Sequence, residues 1–461
     1  MSLEIIQPKN KISFFIIDRA LAKEVLHLAF PVALGMASIT AIGLTDTIMV
    51  GRLGAEALAA TGQASIIFWA IHWVTRSIEV AAQALIARRY GEQQFHLCGK
   101  ILDNALAVSL AVSTLGMMLL YFGGRTLMSL TSTHDNVVDL ATGYIQILCL
   151  ALWASSMLFA MRGFFSGIGK TRIFLISALI LLFFNVLCNY TFIFGKFGMP
   201  RMGVRGAALG SAIAFIIAFV FMILYVFGIG GRNFKKEFSA FQFNLDRGII
   251  TEIIQLGAPN AFRGIMVVAG LAVFYAMVDR IDVIQVAIVN VVLNIQSVSF
   301  MPGYGFGVAS ATLIGQNLGA KDPDRAERSG YEAAKLGMIF MGTLGIVFLA
   351  VPEWVVRLFT DDSEVIRSAI FPLMLAGAVQ VIDAAGMVFS TALEGAGNTR
   401  WVMKAEIFVN WGIFLPLTYV LTFVFSWHHY GPWIAWAAYL TIFGLMCIWK
   451  FREGKWKEIK L

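Results

Sequence analysis

The sequence predicts an all-α polytopic membrane protein: twelve transmembrane helices in two six-helix lobes related by a parallel internal repeat. Three observations carry this. The 461 residues are 59% hydrophobic and only 14% charged, and the apolar residues fall in long blocks rather than short amphipathic runs. A stretch of about 20 apolar residues, the length that crosses a bilayer as helix, fits the chain twelve times. The chain also matches itself, weakly but in order, at one fixed offset, the interval from Pro31 to Pro259.

The predicted spans are 26–50, 62–87, 101–121, 138–160, 173–194, 206–230, 251–277, 284–314, 332–351, 368–392, 405–426 and 433–450. They divide the chain into an N-terminal tail (1–25), a first lobe (26–230), a basic, glycine-containing linker (231–250), a second lobe (251–450) and a C-terminal tail (451–461). The first tail does not read as a cleaved signal. Its apolar core, Ile12 to Ile17, is too short, and Asp18 and Arg19 follow where small residues should stand.

Lys and Arg gather in alternate connections, from Lys9 to Lys23, Arg88 to Lys100, Arg162 to Arg172, Arg232 to Arg247, Lys321 to Lys335, Arg400 to Lys404 and Lys450 to Lys460. That bias puts both termini in the cytoplasm, with the chain multi-pass in the plasma (inner) membrane. It also accounts for the net charge of +7 without a nucleic-acid partner. Cys98, Cys149, Cys188 and Cys447 are widely scattered, so they read as packing residues rather than as a metal knuckle or a disulfide framework.

In the self-comparison, Glu24 pairs with Glu252, Pro31 with Pro259, Met49 with Met277, Arg52 with Arg280 and Gly91 with Gly319. Gly167-x-Gly169-x-Thr171-Arg172 pairs with Gly395-x-Gly397-x-Thr399-Arg400. Six helices per half is an even number, so both halves enter the membrane the same way round and are related by an axis along its normal. Two such bundles about a central cleft form an alternating-access architecture.

The ionisable residues inside spans are the candidates for function, because an aspartate at a helix centre costs roughly 2.5 to 3.5 kcal/mol on insertion scales. Asp46 stands near the end of the first span. Asn185 and Asn189 lie at similar depth on the fifth span and share a face, being four residues apart. Arg76 and Glu79 on the second span either neutralise each other, or Arg76 serves as counter-ion to Asp46 or as an anion contact. Asp383, near the middle of the tenth span, is either a coupling residue of the second lobe or the partner of Arg263. Glu406 and Asn410 either line the cleft or make a helix contact. Pro31 shares a helix with Asp46 and can bend it, which makes it a candidate hinge.

The chain resembles the multidrug and toxic compound extrusion (MATE) family, in particular its DinF-like branch. The resemblance rests on Pro31 with Asp46-Thr-Ile-Met-Val-Gly51, Arg88-Arg89-Tyr90-Gly91, Arg162-Gly163 before Ser166-Gly-Ile-Gly169-Lys-Thr-Arg172, and Asn185-x-x-x-Asn189 before Phe192-Ile-Phe-Gly195. Gly206-Ala-Ala208, Gln380-x-x-Asp383 and Glu394-Gly-Ala-Gly-Asn-Thr-Arg400 complete it. It implies a twelve-helix exporter driven by a proton or sodium gradient. In that family a first-helix aspartate and a fifth-helix Asn-x-x-x-Asp form the cation-linked site; Asp46 and Asn185 match, and Asn189 departs. An amide can only donate and accept hydrogen bonds, so the departure favours protonation over sodium binding. No carboxylate lies between Pro259 and Val278, where many members carry one.

The expected function is therefore cation-coupled antiport, proton favoured over sodium, exporting amphipathic and cationic organic compounds. The coupling site is Asp46, Asn185 and Asn189, with Asp383 as the second-lobe candidate and Arg76, Glu79, Arg263, Glu406 and Asn410 as cavity or counter-ion candidates. Beyond the coupling ion, H+ or Na+, no cofactor and no bound metal are expected. The partners are a small-molecule substrate and the lipid bilayer, and the protein is expected to be a monomer. The rival is a flippase of lipid-linked saccharides, which calls for several cations in the cavity where the predicted spans, away from their ends, supply only Arg76 and Arg263. An intramembrane enzyme would need a metal cluster or a catalytic pair that the spans do not contain.

Overall fold

A computed structural model of the chain describes residues 17–129, 134–229 and 237–461. The N-terminal tail up to residue 16 and positions 231–236 of the linker lie outside the described residues. Among the described residues, twelve helices are long and apolar enough to cross a membrane. They are α1 (Arg19–Gly51), α2 (Ala55–Gly91), α3 (Phe95–Ser129), α4 (Asp135–Gly167), α5 (Arg172–Phe194), α6 (Val204–Gly228), α7 (Arg247–Asp279), α8 (Ile284–Gly319), α9 (Pro323–Ala350), α10 (Ser363–Gly395), α11 (Thr399–Val424) and α12 (Gly431–Glu453).

Several helices outrun their apolar windows, because polar caps set their ends. α1 begins at Arg19 rather than near residue 26: the Asp18 carboxylate accepts hydrogen bonds from the N–H groups of Ala20 and Leu21 at 3.1 and 3.3 Å, which the first helical turn leaves unpaired. Asp246 caps α7 in the same way, accepting from the Gly248 N–H at 2.8 Å, and it is the repeat counterpart of Asp18. α11 passes through π-helical turns at Phe408–Phe414 and Val420–Val424, on either side of Pro416; such local adjustment re-satisfies backbone groups near a proline in a membrane helix. Pro31 and Pro259 sit inside continuous helices.

The repeat extends to the turns. Gly169 and Gly397 both take positive φ, +77° and +94°, and Gln93 and Lys321 both adopt φ 61°. Each pair keeps the spacing of Pro31 and Pro259.

The N-terminal lobe (α1–α6) and the C-terminal lobe (α7–α12) meet on the side of the described chain ends, with α1 packed on α8 and α2 on α7. Glycines let these backbones touch. A Cβ on Gly305 would stand 2.7 and 2.8 Å from the Ala33 nitrogen and the Ala29 oxygen, and one on Gly91 would overlap the carbonyl of Gln316. Side chains then bond across the seam. Gln83 Nε2 donates to the Val308 carbonyl at 2.9 Å and to Thr312 Oγ1 at 3.0 Å, and Gln316 Nε2 donates to the Gly167 carbonyl at 2.8 Å.

The hydrophobic cores on this side mix the lobes: Ile253 and Leu256 of α7 join the core built on α2, α3 and α4, while Val25, Leu28 and Ala29 of α1 join the core built on α8, α9 and α10. On the opposite side each core comes from one lobe, around Ala60 and Leu152 in the first and around Phe274 and Phe414 in the second. The lobes close where the chain ends lie and part at the other end, which is one end state of a rocking pair.

Candidate functional site

Asp46 lies far along α1, about 40 Å from its start at 1.5 Å per residue, on the side where the lobes part. The amide of Asn189 on α5 donates to Asp46 Oδ1 at 2.6 Å, and the same nitrogen lies 3.3 Å from Asn185 Oδ1. Asn185 Nδ2 in turn donates to Ser211 Oγ on α6 at 3.0 Å. Both asparagines are buried. Gly210 makes room for them, since a Cβ there would overlap Asn189 Oδ1; that oxygen has no hydrogen-bond partner among the described residues. The three residues singled out from the sequence are therefore one hydrogen-bonded chain, and Asn189 supplies the donor that an ionised carboxylate in its place would lack.

Arg76 is not the counter-ion of Asp46. Its guanidinium lies between the rings of Trp73 and Tyr304, 5.0 Å from each centroid, and its Nε is 4.0 Å from Glu79 Oε2. It faces the seam because Tyr304 comes from α8, and Tyr304 is the repeat counterpart of Arg76. The i, i+3 pairing with Glu79 is present, at the long limit for an ion pair.

Nor does Asp383 pair with Arg263. Arg263 Nη2 lies 3.0 Å from Glu394 Oε1, and Asn260 Nδ2 donates to the same oxygen at 2.9 Å. Glu394 ends α10, in the stretch that the sequence offered only as part of the repeat and of the family resemblance, and it is 2% exposed. It reaches Arg263 because α10 continues as buried helix to Gly395. A carboxylate followed by Gly395 and Gly397 was the available signal, for such glycines permit close helix packing within the second lobe: a Cβ on Gly395 would stand 2.5 Å from the Ala311 Cα of α8.

Glu406 and Asn410 make helix contacts rather than lining the cleft. Both are buried; Glu406 accepts a hydrogen bond from the Tyr439 hydroxyl of α12, and Asn410 fills the space left by Gly270 of α7. Asp383 lies within electrostatic reach of Glu406, so the second lobe groups two carboxylates and a phenol.

Sequence reasoning also missed Arg162. Placed by its basic neighbours in a connection, it is instead 2% exposed inside the first lobe, where its guanidinium lies 4.6 Å from the centroid of Phe174. It joins Arg76 and Arg263 as a cation inside the helical bundle. The next residue held the clue: a Cβ on Gly163 would stand 2.5 Å from the Glu79 carbonyl oxygen, so glycine there lets α4 lie directly on α2.

The MatE family model matches residues 31–191 and 259–420, two stretches that start at the paired prolines Pro31 and Pro259. The chain is 27% identical over 456 residues to the "Probable multidrug resistance protein NorM" of Thermotoga maritima, covering 95% of this chain and 93% of that one. It is 26% identical over 406 residues to the "Multidrug resistance protein PmpM" of Pseudomonas aeruginosa, covering 87% and 84%. Among solved structures, an outward-facing multidrug resistance MATE family transporter of the MOP superfamily superposes with a TM-score of 0.88 at 19% identity, covering 95% of this chain and 97% of that one. The matched family covers most of both lobes, and its relatives carry transport rather than catalysis: the chain belongs to the MatE family, as a multi-pass membrane transporter and not an enzyme.

Proposed function

We propose that this transporter is an antiporter that exports amphipathic organic compounds by alternating access, driven by protons in preference to sodium. Both termini are assigned to the cytoplasm, so the state described above opens outward and is sealed on the cytoplasmic side. The names carried by the NorM and PmpM relatives, multidrug resistance proteins, support drug-like substrates. The observation that carries the coupling is the 2.6 Å hydrogen bond from Asn189 to Asp46. A single carboxylate, held by an amide donor on a neighbouring helix, exchanges that bond when it gains a proton, because a protonated carboxyl is itself a donor.

Protonation from outside then changes how α1 packs on α5 and α6, and substrate is released outward; substrate arriving from inside favours the deprotonated form. The test is transport by purified protein in vesicles with pH and sodium gradients imposed separately. Efflux driven by the pH gradient and lost in Asp46→Asn is expected. Full gradient-driven efflux by that variant removes Asp46 from coupling, and efflux that follows only the sodium gradient overturns the choice of ion.

Arg162 adds a cation that a flippase of lipid-linked saccharides would use. Glu394 and Glu79, however, offset much of that charge, and drug export remains the better reading.

A further inference from the structure

Between the cytoplasmic seam and the outward cleft, the first lobe holds a group of side chains that coupling through Asp46 does not use: His72, Arg76 and Glu79 on α2, and Arg162 on α4. Among the described residues Glu79 pairs with Arg76, at 4.0 Å, and makes no ion pair with Arg162. Arg162 lies within electrostatic reach of both Glu79 and Arg76, but its Nε and Nη2 are buried without a hydrogen-bond partner among the described residues, as is His72 Nδ1 one turn of helix before Arg76. His72 is 2% exposed and walled by Phe159, with ring centroids 4.7 Å apart. Across the seam, the carboxylate of Glu394 is already taken by Arg263 and Asn260.

A buried guanidinium with free N–H groups is costly unless an anion completes it. Its flat fork matches a carboxylate in particular. Entry to the group is through Arg76 and Glu79, whose side chains remain 17% and 15% exposed beside Tyr304 of the other lobe.

We propose that Arg162, together with Arg76, binds the carboxylate of the transported compound, so that the preferred substrates are zwitterionic or anionic amphiphiles rather than simple cations. Phe174 on one side of Arg162 and Trp73 and Tyr304 around Arg76 supply flat apolar surfaces for the rest of such a molecule. Tyr304 against Arg76 and Gly264 against Trp73 place both lobes beside this entry, so a change in how the lobes pack alters access to it. The inference rests on the export reading but concerns binding, and binding is measurable without transport.

The test uses a rhodamine carboxylic acid, which is zwitterionic, and its methyl ester, a plain cation of nearly the same shape, titrated into the purified full-length protein with fluorescence polarisation as readout. The wild type is expected to bind the acid about tenfold or more tightly than the ester, the scale of hydrogen bonds to a charged group. Arg162→Met should lose that preference while still binding the ester, and Arg162→Lys should keep part of it. Equal affinity of the wild type for acid and ester, binding of neither, or a preference that survives in Arg162→Met overturns the proposal. The wild-type comparison stands even if a variant misfolds. Coupled export fails separately, as acid and ester that bind but are not carried against a gradient in vesicles.

Discussion

Gly91 and Gly319, equivalent positions in the two lobes, each lie against the backbone that precedes the other. A side chain on Gly91 would run into the carbonyl of Gln316, and one on Gly319 into that of Arg88; Arg88 and Gln316 are themselves equivalent under the repeat. The contact is therefore reciprocal about the axis relating the lobes. It is the tightest kind of closure a helix pair can make, because nothing but hydrogen stands between the two chains.

It follows that Gly319→Leu, or Gly91→Leu, should wedge the seam and shift the protein from the state described here towards one open on the side of the chain ends. Each lobe keeps a core of its own away from the seam, so the protein should still fold. Hydrogen exchange of the α2 segment 83–91 and the α8 segment 308–319 should quicken in both variants, and transport should fall at least about tenfold. Unchanged exchange in those segments would mean that the glycines are packing detail and not the closure.

The same pair shows what the sequence could and could not tell. The apolar blocks revealed the twelve spans, and period and parity revealed the parallel lobes, because those features follow from bilayer thickness and chain direction alone. The Gly91 and Gly319 match was visible as a repeat, but its cause was not, since the contact joins helices distant in sequence. Asp46, Asn185 and Asn189 were legible as a group because helix periodicity fixes their depth and face. The partners of Arg263 and Arg76 were not. Which of several side chains a guanidinium reaches depends on how distant helices dock, within a lobe for Glu394 and between lobes for Tyr304, and no local pattern encodes their relative positions.

Breaking the buried pair of Arg263 and Glu394 should cost more than removing it. Glu394→Ala leaves a guanidinium and the Asn260 amide without their acceptor, and should destabilise the protein by about 3 to 5 kcal/mol. Replacing both residues, Glu394→Gln with Arg263→Met, should recover most of that. Thermal unfolding in detergent reads the difference, and a double variant no more stable than Glu394→Ala would show that the pair is not an isolated ionic unit.

At the other end of the cleft, Asn189→Asp would give Asp46 a second carboxylate at hydrogen-bond distance. Two carboxylates and the Asn185 oxygen form an oxygen-rich site able to hold a hard monovalent cation, whereas one carboxylate with two amides is better served by a proton. The variant should gain efflux stimulated by a sodium gradient that the wild type lacks, measured in the same vesicles. Sodium stimulation equal in both proteins would separate residue 189 from ion choice.

The linker between the lobes offers a last prediction. Asp103 on α3 accepts hydrogen bonds from the backbone N–H groups of Phe241, Gln242 and Phe243 at 2.7, 2.9 and 2.9 Å, and Ser239, Phe241 and Phe243 all take positive φ, at 50°, 62° and 51°. Residues with side chains rarely adopt that conformation, at a cost of order 1 kcal/mol or more each, so three charge-assisted bonds hold the linker in a shape it would otherwise leave. Lys100 reinforces the anchor: its Nζ lies 2.6 Å from Asp246 Oδ2, and this bond, with the Gly248 N–H, holds the Asp246 carboxyl below the usual carboxylate range. The sign follows from that depression. The Asp246 contribution is fully present above the ordinary carboxylate pKa and is lost only as pH falls through the lowered value, so the bond from Lys100 to Asp246 persists at neutral and mildly acid pH. Asp103→Ala should free the 239–246 segment, and limited proteolysis at pH 7 should cut there faster than in the wild type. Equal cleavage of the two proteins would show that the linker keeps its course without Asp103.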